Sequence, residues 1–196
     1  MPATPAGLSG PRPETEPDAT ALGTLWTAVT RAGGAVGFPP DAPETDVRAL
    51  AEATVAEVRA GTLHLLALHG PGDELVGTVF LQPGRGPVVA HRATVIRLMV
   101  RPDLQGRGLG GRLLDAALDR AAGLGLAQLI LSARGGTGLP EWYAARGWTE
   151  VGRFPAALRL GPGDVRDEHW FQREITDDEA VRDRTRNRQE SVGPSR

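Results

Sequence analysis

The most informative segment of this chain is Leu98-Met99-Val100-Arg101-Pro102-Asp103-Leu104-Gln105-Gly106-Arg107-Gly108-Leu109-Gly110-Gly111-Arg112. Its pattern predicts an apolar strand that ends near Val100, a glycine-rich turn, and a helix that begins at about Gly108. The first backbone N–H groups of a helix have no acceptor within the helix, and the helix dipole favours negative charge beside them. We therefore predict that this corner binds a pyrophosphate group.

Three other interpretations of this glycine-rich turn are a purely structural turn, a dinucleotide site and a Walker loop. The glycines could serve only the turn, which is the plainest structural alternative. A dinucleotide site would place an acidic residue at the end of the next strand, but that strand ends Leu131-Ser132-Ala133-Arg134. A Walker loop requires a lysine, and the chain contains none. The second and third interpretations are therefore disfavoured.

The spacing of Gln105, Gly108 and Gly110, after a strand that ends Val-x-Pro, resembles the acetyl-CoA signature of the GNAT superfamily of N-acetyltransferases. The resemblance implies acetyl-CoA as co-substrate and no metal. It implies that backbone N–H groups from Arg107 to Arg112 bind the pyrophosphate, with charge-assisted bonds from those two arginines. The cofactor-binding residues that it implies are Leu98, Met99, Val100, Gln105, Gly106, Arg107, Gly108, Leu109, Gly110, Gly111, Arg112 and Tyr143.

Within that set, Met99 and Val100 are implied to offer backbone groups to the pantetheine arm. Their side chains are also candidates for the core. Leu98 and Val100 should project to one face of the sheet and Met99 to the other, because side chains alternate along a strand. The two roles are therefore compatible.

A second motif, Leu139-Pro140-Glu141-Trp142-Tyr143-Ala144-Ala145-Arg146-Gly147-Trp148, resembles another hallmark of the same family. The resemblance gives Tyr143 the place of the tyrosine that protonates the departing thiolate. A phenol with a pKa of about 10 can donate a proton to a thiolate. A tyrosine near a helix end also commonly serves packing, so both roles remain open. Tyr143 is the only tyrosine in the chain.

The segment from His91 to Ile175 resembles acetyltransferases of the tabtoxin-resistance type more closely, but Thr94 stands where related sequences carry a glutamate suited to general-base work. A hydroxyl cannot accept a proton at neutral pH without another base behind it. Three accounts remain open. The amine arrives neutral or loses its proton through ordered water, or His91 replaces the base, or the protein is a non-catalytic acyl-CoA-binding sensor or interaction module.

The pattern of apolar residues predicts a mixed α/β fold with helices flanking one sheet and with one parallel strand pair. The resemblance implies a GNAT-like sheet in which this parallel pair is splayed at the acetyl-CoA site. Helices are predicted over residues 21–31, 45–59, 108–123 and 139–146. Strands are predicted over residues 63–68, 75–81, 127–132, 148–153 and 170–175, with a further strand within 88–100.

Composition sets the domain limits and excludes several functional classes. Five prolines in residues 1–19 predict a disordered N-terminal lead. We expect residues 20–176 to form the acetyltransferase domain and residues 177–196 to form a charged tail. A net charge of −2 argues against nucleic acid as a partner, and no apolar run is long enough to span a membrane. We expect a cytoplasmic enzyme and leave open whether it forms a homodimer.

The expected reaction is acetyl transfer to a primary amine of a small molecule such as an antibiotic or toxin. A protein N-terminus is a further candidate for the acceptor. Carboxylates that could attract the ammonium group are Asp41, Glu44, Asp46 and Glu141, although each equally fits a solvated surface. Trp26, Phe38 and Trp170 could line the acceptor pocket or fill the core.

Overall fold

The computed structural model describes residues 7–176, which form a seven-stranded sheet with two helices packed on each face. The helices are α1 (Ala19–Arg31), α2 (Glu44–Arg59), α3 (Leu109–Gly123) and α4 (Leu139–Ala144). The strands are β1 (Ser9–Glu14), β2 (His64–His69), β3 (Leu75–Pro83), β4 (Arg92–Val100), β5 (Gln128–Arg134), β6 (Thr149–Gly161) and β7 (Asp164–Glu174). Their order across the sheet is β1-β2-β3-β4-β5-β7-β6. The predicted mixed α/β fold is confirmed.

Local sequence signals explain where the first helices begin and which side they bury. The side chain of Asp18 caps α1 by accepting hydrogen bonds from the backbone N–H groups of Thr20 at 2.6 Å and Ala21 at 3.1 Å. Glu44 opens α2 and pairs with Arg48 one turn later. Both helices turn their apolar stripes toward the sheet, where Trp26 and Val47 are almost completely buried.

The core is divided by the sheet into two apolar clusters. One cluster joins α3 and α4 to one face of the sheet, and the other joins α1 and α2 to the opposite face. Val100 and the half-buried Leu98 belong to the α3 side, whereas Met99 belongs to the α1 side. The predicted alternation of these three side chains is therefore confirmed.

The parallel pair β4–β5 is short and then splays apart. Arg92–Thr94 pair with Gln128–Ile130, and beyond them β4 continues to pair only with β3 while β5 continues to pair only with β7 in residues 7–176. This confirms the splayed parallel pair predicted from the sequence. The facing edges of β4 and β5 beyond Thr94 therefore hold backbone groups that no strand satisfies.

A β-bulge at Arg97 accompanies the splay. Arg97 has a φ of 51°, and the register with β3 shifts between the pairs Phe80↔Ile96 and Thr78↔Met99. Ile96 and Met99 both pack in the α1 cluster, so the extra residue shifts the normal alternation of side chains. Such a bulge bends the strand locally and increases its twist.

The structure differs from the sequence prediction at the ends of the domain. Residues 1–19 were expected to be disordered, but Ser9–Glu14 form β1, whose partner is β2. Their composition cannot build a core alone, but Leu8 packs on the α3 cluster and β2 supplies hydrogen-bond partners. Strands β6 and β7 span 13 and 11 residues, far longer than predicted. Residues 177–196, the predicted charged tail, lie outside the described residues.

Replacing Leu129 on β5 with alanine should destabilise the fold by about 2–5 kcal/mol, because truncating a buried leucine leaves a cavity in a close-packed core. Leu129 is 0% exposed, whereas Val151 on β6 is 54% exposed and provides a matched control. Val151→Ala should change the free energy of unfolding by less than about 0.5 kcal/mol. Urea denaturation measures both, and equal effects would contradict this account of the core.

Candidate functional site

The loop between β4 and α3 is held by a network around Arg101. Its guanidinium bonds to Asp103 at 2.7 Å and to Glu74, just before β3, at 2.5 Å. These hydrogen bonds raise the pKa of Arg101, and the bond from Arg101 lowers the pKa of Asp103. The network fixes the glycine-rich turn relative to the strands, although its exposed ion pairs contribute little to stability.

Gln105 also anchors this loop. Its side-chain amide donates a hydrogen bond of 3.0 Å to the carbonyl of Val100 at the end of β4. The side-chain amide of Gln105 is thus used within the protein, where it holds the glycine-rich loop against the end of β4.

The start of α3 is open and carries unsatisfied donors. Gly108 precedes the helix with a φ of 80°, and no side chain caps it. The backbone N–H groups of Leu109, Gly110 and Gly111 are the first of the helix and have no intrahelical acceptor. Buried Leu109 holds this end in the core, while the space beside Gly106 and Gly108 is open. This arrangement fits an anion at the helix start.

The predicted cations near this helix start are Arg107 and Arg112. The Arg112 guanidinium donates a 2.8 Å hydrogen bond from Nη2 to the Gly10 carbonyl of β1, while its buried Nη1 atom has no hydrogen-bond partner within residues 7–176. Arg107 is exposed beside the turn, as expected. A cation that the sequence analysis missed is Arg146, which stacks on the Trp142 ring at 3.9 Å beside the first turn of α3. The only signal for Arg146 in the sequence was its place after Tyr143 in the second motif.

Tyr143 lies in the α3 cluster, 93% removed from solvent, against aromatic neighbours. Its ring centroid is 6.0 Å from that of Trp148 and 5.9 Å from that of Phe171. Burial raises the pKa of Tyr143 to about 12, so the hydroxyl is protonated throughout the physiological range. The structure thus supports a packing role for the ring, and it leaves the proton of the hydroxyl available.

Thr94 is the last residue of β4 that pairs with β5. It is half-buried and lines a cavity of 290 Å³ together with Gln82, Arg92 and Ile130. His91, the alternative base, is exposed before the strand and is not part of this cavity lining. The position implied for a general base is therefore filled by a group that cannot act as one at neutral pH.

The carboxylates predicted to attract an ammonium group are engaged elsewhere or lie on the surface. Glu44 accepts hydrogen bonds from Arg31 and Arg48, and these bonds lower its pKa. Asp41, Asp46 and Glu141 are exposed.

The aromatic candidates divide between core and surface. Trp26 is a fully buried core residue, its indole N–H donates to the Val36 carbonyl at 2.9 Å, and Phe38 packs against its ring. Trp170 is half-buried on β7 beside Ser132 of β5.

Two arginines that the sequence analysis did not single out lie on the α1 side of the sheet. Arg97 stacks over the Trp26 ring at 4.7 Å, and Arg134 donates a hydrogen bond to the Gly33 carbonyl after α1. The signal for Arg97 was a single charge inside the apolar run from Val95 to Val100.

No cluster of three or more metal-ligating side chains occurs within residues 7–176. Over the same residues, no helix is long and apolar enough to cross a membrane.

Comparisons with known proteins place this geometry in a family. The model for the family described as Acetyltransferase (GNAT) family matches residues 34–147, which is more than half of the chain. A mycothiol acetyltransferase of Thermobispora bispora is 36% identical over 126 residues, covering 62% of this chain and 33% of that protein. The chain therefore spans about a third of the length of this curated relative.

Solved structures with low sequence identity share the fold. A structure described as a phosphinothricin N-acetyltransferase aligns with a TM-score of 0.70 at 18% identity, covering 87% of this chain and 99% of that one. A structure described as an acetyltransferase of Salmonella typhimurium, solved with its cofactor acetyl-CoA, aligns with a TM-score of 0.64 at 16% identity, covering 87% of this chain and 95% of that one.

Glycines at the two ends of α3 allow a matched test of the helix start. Gly108 and Gly125 have φ angles of 80° and 73°, and an added Cβ at either position would meet nothing within 4 Å. Alanine at either position should cost about 1 kcal/mol of stability through backbone strain. Only Gly108→Ala should also weaken acetyl-CoA binding, by about tenfold or more, because its methyl group obstructs an approaching phosphate. Equal binding of acetyl-CoA by both variants in calorimetric titration would contradict the prediction that the pyrophosphate binds at the start of α3.

Proposed function

The chain belongs to the GNAT acetyltransferase family, and from this premise we propose that it transfers an acetyl group from acetyl-CoA to a primary amine of a small molecule. The observation that carries the proposal is the open start of α3 beside two strands that splay apart. The tabtoxin-resistance type and a cytoplasmic location belong to the same proposal. The alternative of a non-catalytic acyl-CoA sensor is not favoured by any contact described above.

In this proposal the donor is held mainly by backbone groups. The first N–H groups of α3 bind the pyrophosphate, with charge from Arg107 and Arg146 beside them. The unpaired edge of β4 over Leu98, Met99 and Val100 offers hydrogen bonds to the pantetheine amides. Acetyl-CoA supplies a thioester carbonyl that an amine can attack. The side chains of Met99 and Val100 are buried in the core on opposite faces of the sheet, which fixes the position of this edge.

Tyr143 acts as the general acid in this scheme. The attack of the amine on the carbonyl expels a thiolate, and the Tyr143 hydroxyl donates a proton to its sulfur. The pKa of about 12 guarantees that the proton is present before the reaction. The aromatic contacts with Trp148 and Phe171 hold the ring in position.

Among residues 7–176, no carboxylate lines the cavity beside Thr94, where the proton of the amine would have to be taken up. Gln82, Arg92 and Ile130 share the cavity with Thr94, and none is a base. We therefore assign the loss of the proton from the ammonium group to solvent, before the attack on the thioester.

Tyr143→Phe should lower kcat by about 100-fold, the size typical of a missing general acid. The phenylalanine ring keeps the contacts with Trp148 and Phe171, so the dissociation constant for acetyl-CoA and the melting temperature should change little. Coenzyme A release with an acetylated amine measures kcat. Phe171→Leu is the control, since it loosens the packing but keeps the hydroxyl. Unchanged turnover in Tyr143→Phe would remove Tyr143 from the mechanism.

The pH profile of kcat/KM should show a single rising limb. The rate constant kcat/KM should rise as the acceptor amine loses its proton, because no protein base assists. Burial raises the pKa of Tyr143 to about 12, so no falling limb should appear below about pH 11. A tyrosine with an ordinary pKa would lose activity from about pH 10 upward. A fall in kcat/KM centred near pH 10 that vanishes in Tyr143→Phe would contradict the raised pKa of Tyr143.

A further inference from the structure

Arg97 is a charged residue whose guanidinium forms no ion pair with any carboxylate of residues 7–176. Its side chain is half-buried, with the guanidinium carbon 4.7 Å from the Trp26 ring centroid and 5.9 Å from that of Phe80. Its Nη1 atom is buried and has no hydrogen-bond partner. Aromatic stacking satisfies the flat face of a guanidinium but leaves its N–H edge available for an acceptor.

Arg134 is a second such residue, at the end of β5. One of its N–H groups donates to the Gly33 carbonyl, and no ion pair joins Arg134 to a carboxylate within residues 7–176. Glu168 lies opposite it in the register with β7 but does not contact it as an ion pair. Burial lowers the pKa of Arg134, and nearby Arg166, which is bound to Asp164 at 2.6 Å, lowers it further.

The two arginines lie on the two arms of the splayed strand pair and on the same face of the sheet. Arg97 follows the last parallel pair, which contains Thr94, and contacts Trp26 of α1. Arg134 contacts the loop that follows α1. The open start of α3 and Tyr143 belong to the opposite face. If the donor enters from the α3 side, the acceptor must approach from the side that carries Arg97 and Arg134.

The guanidinium groups of Arg97 and Arg134 on this face would repel a simple cationic amine. Glu57 has a favourable electrostatic effect on Arg97, but their charged atoms form no ion pair within 4 Å. Burial nevertheless lowers the pKa of Arg97, so the desolvation of this guanidinium outweighs that effect. An anionic group on the ligand would supply the missing acceptor and the missing negative charge.

We propose that the acceptor is an amine that also carries a carboxylate, and that Arg97, assisted by Arg134, binds this carboxylate while the amine faces the splayed strands. This inference rests on the proposed acetyl transfer. It makes the two arginines specificity determinants, and the reaction itself remains the formation of an amide with release of coenzyme A.

The test uses β-alanine, γ-aminobutyrate and δ-aminovalerate, each paired with its carboxamide, because the distance from the amine to the carboxylate varies along this series. The full chain should acetylate at least one carboxylate with a kcat/KM about tenfold or more above that of its carboxamide. Arg97→Met keeps the apolar contacts with Trp26 and Phe80 and should remove this preference, chiefly by raising KM. The kcat/KM for the carboxamide should fall much less than that for the carboxylate.

Three further variants separate charge from folding. Arg134→Met should weaken the preference less than Arg97→Met, and Arg97→Lys should restore part of it. Arg48→Met on α2, an exposed arginine paired with Glu44, is the matched control and should leave the preference intact. If Arg97→Met does not fold, Arg134→Met and competitive inhibition of the unaltered chain by glutarate, with glutaramide as control, test the same site.

The outcomes separate this inference from the function on which it rests. A chain that fails to bind acetyl-CoA contradicts the proposed function itself. A chain that binds acetyl-CoA but acetylates carboxamides as well as carboxylates, or none of the six amines, overturns the carboxylate site. An equal loss for both members of a pair in Arg97→Met also overturns it, because a merely structural arginine would act in that way.

Discussion

The separation of β4 from β5 after Thr94 is the constraint on which the rest of the molecule depends. Two neighbouring parallel strands normally satisfy each other's backbone groups, and leaving such groups unpaired in an apolar interior is costly. The sheet tolerates the gap because β3 and β7 hold the outer edges of the two strands. The bulge at Arg97 bends β4 away, so the opening is built into the backbone and does not depend on a loop.

The two faces of the sheet then acquire different chemistry. On one face, α3 presents free N–H groups and α4 brings Tyr143 and Arg146 close to the same strands. On the other face, α1 and the loop after it contact Arg97 and Arg134. In the proposed reaction, a ligand in the gap would meet the Tyr143 side of the sheet on one face and the Arg97 side on the other. This division follows from the alternation of side chains along strands and from one irregular residue in β4.

Periodicity and turn residues were enough to predict the helices, the parallel pair and the glycine-rich helix start, because each is set by local sequence. The strand β1 was missed because its prolines and charges give no apolar alternation, and only the edge of β2 makes it a strand. The contact of Arg112 with the edge strand was missed for the same reason, since its partner Gly10 lies in that strand. Arg97 and Arg146 were not predicted because their neighbours come from distant segments. Arg97 contacts Trp26, and Arg146 lies beside the first turn of α3.

The position of β1 also protects the protein from self-association. Strand β2 is buried on both faces, and with β1 removed its apolar residues would border a row of free backbone donors and acceptors, which is a template for aggregation. β1 covers that row, and it contains Pro11 and Pro13, which lack the N–H group that a further strand would need. Pairing of a further strand is therefore disfavoured at this edge of the sheet, which the proline-rich strand β1 covers.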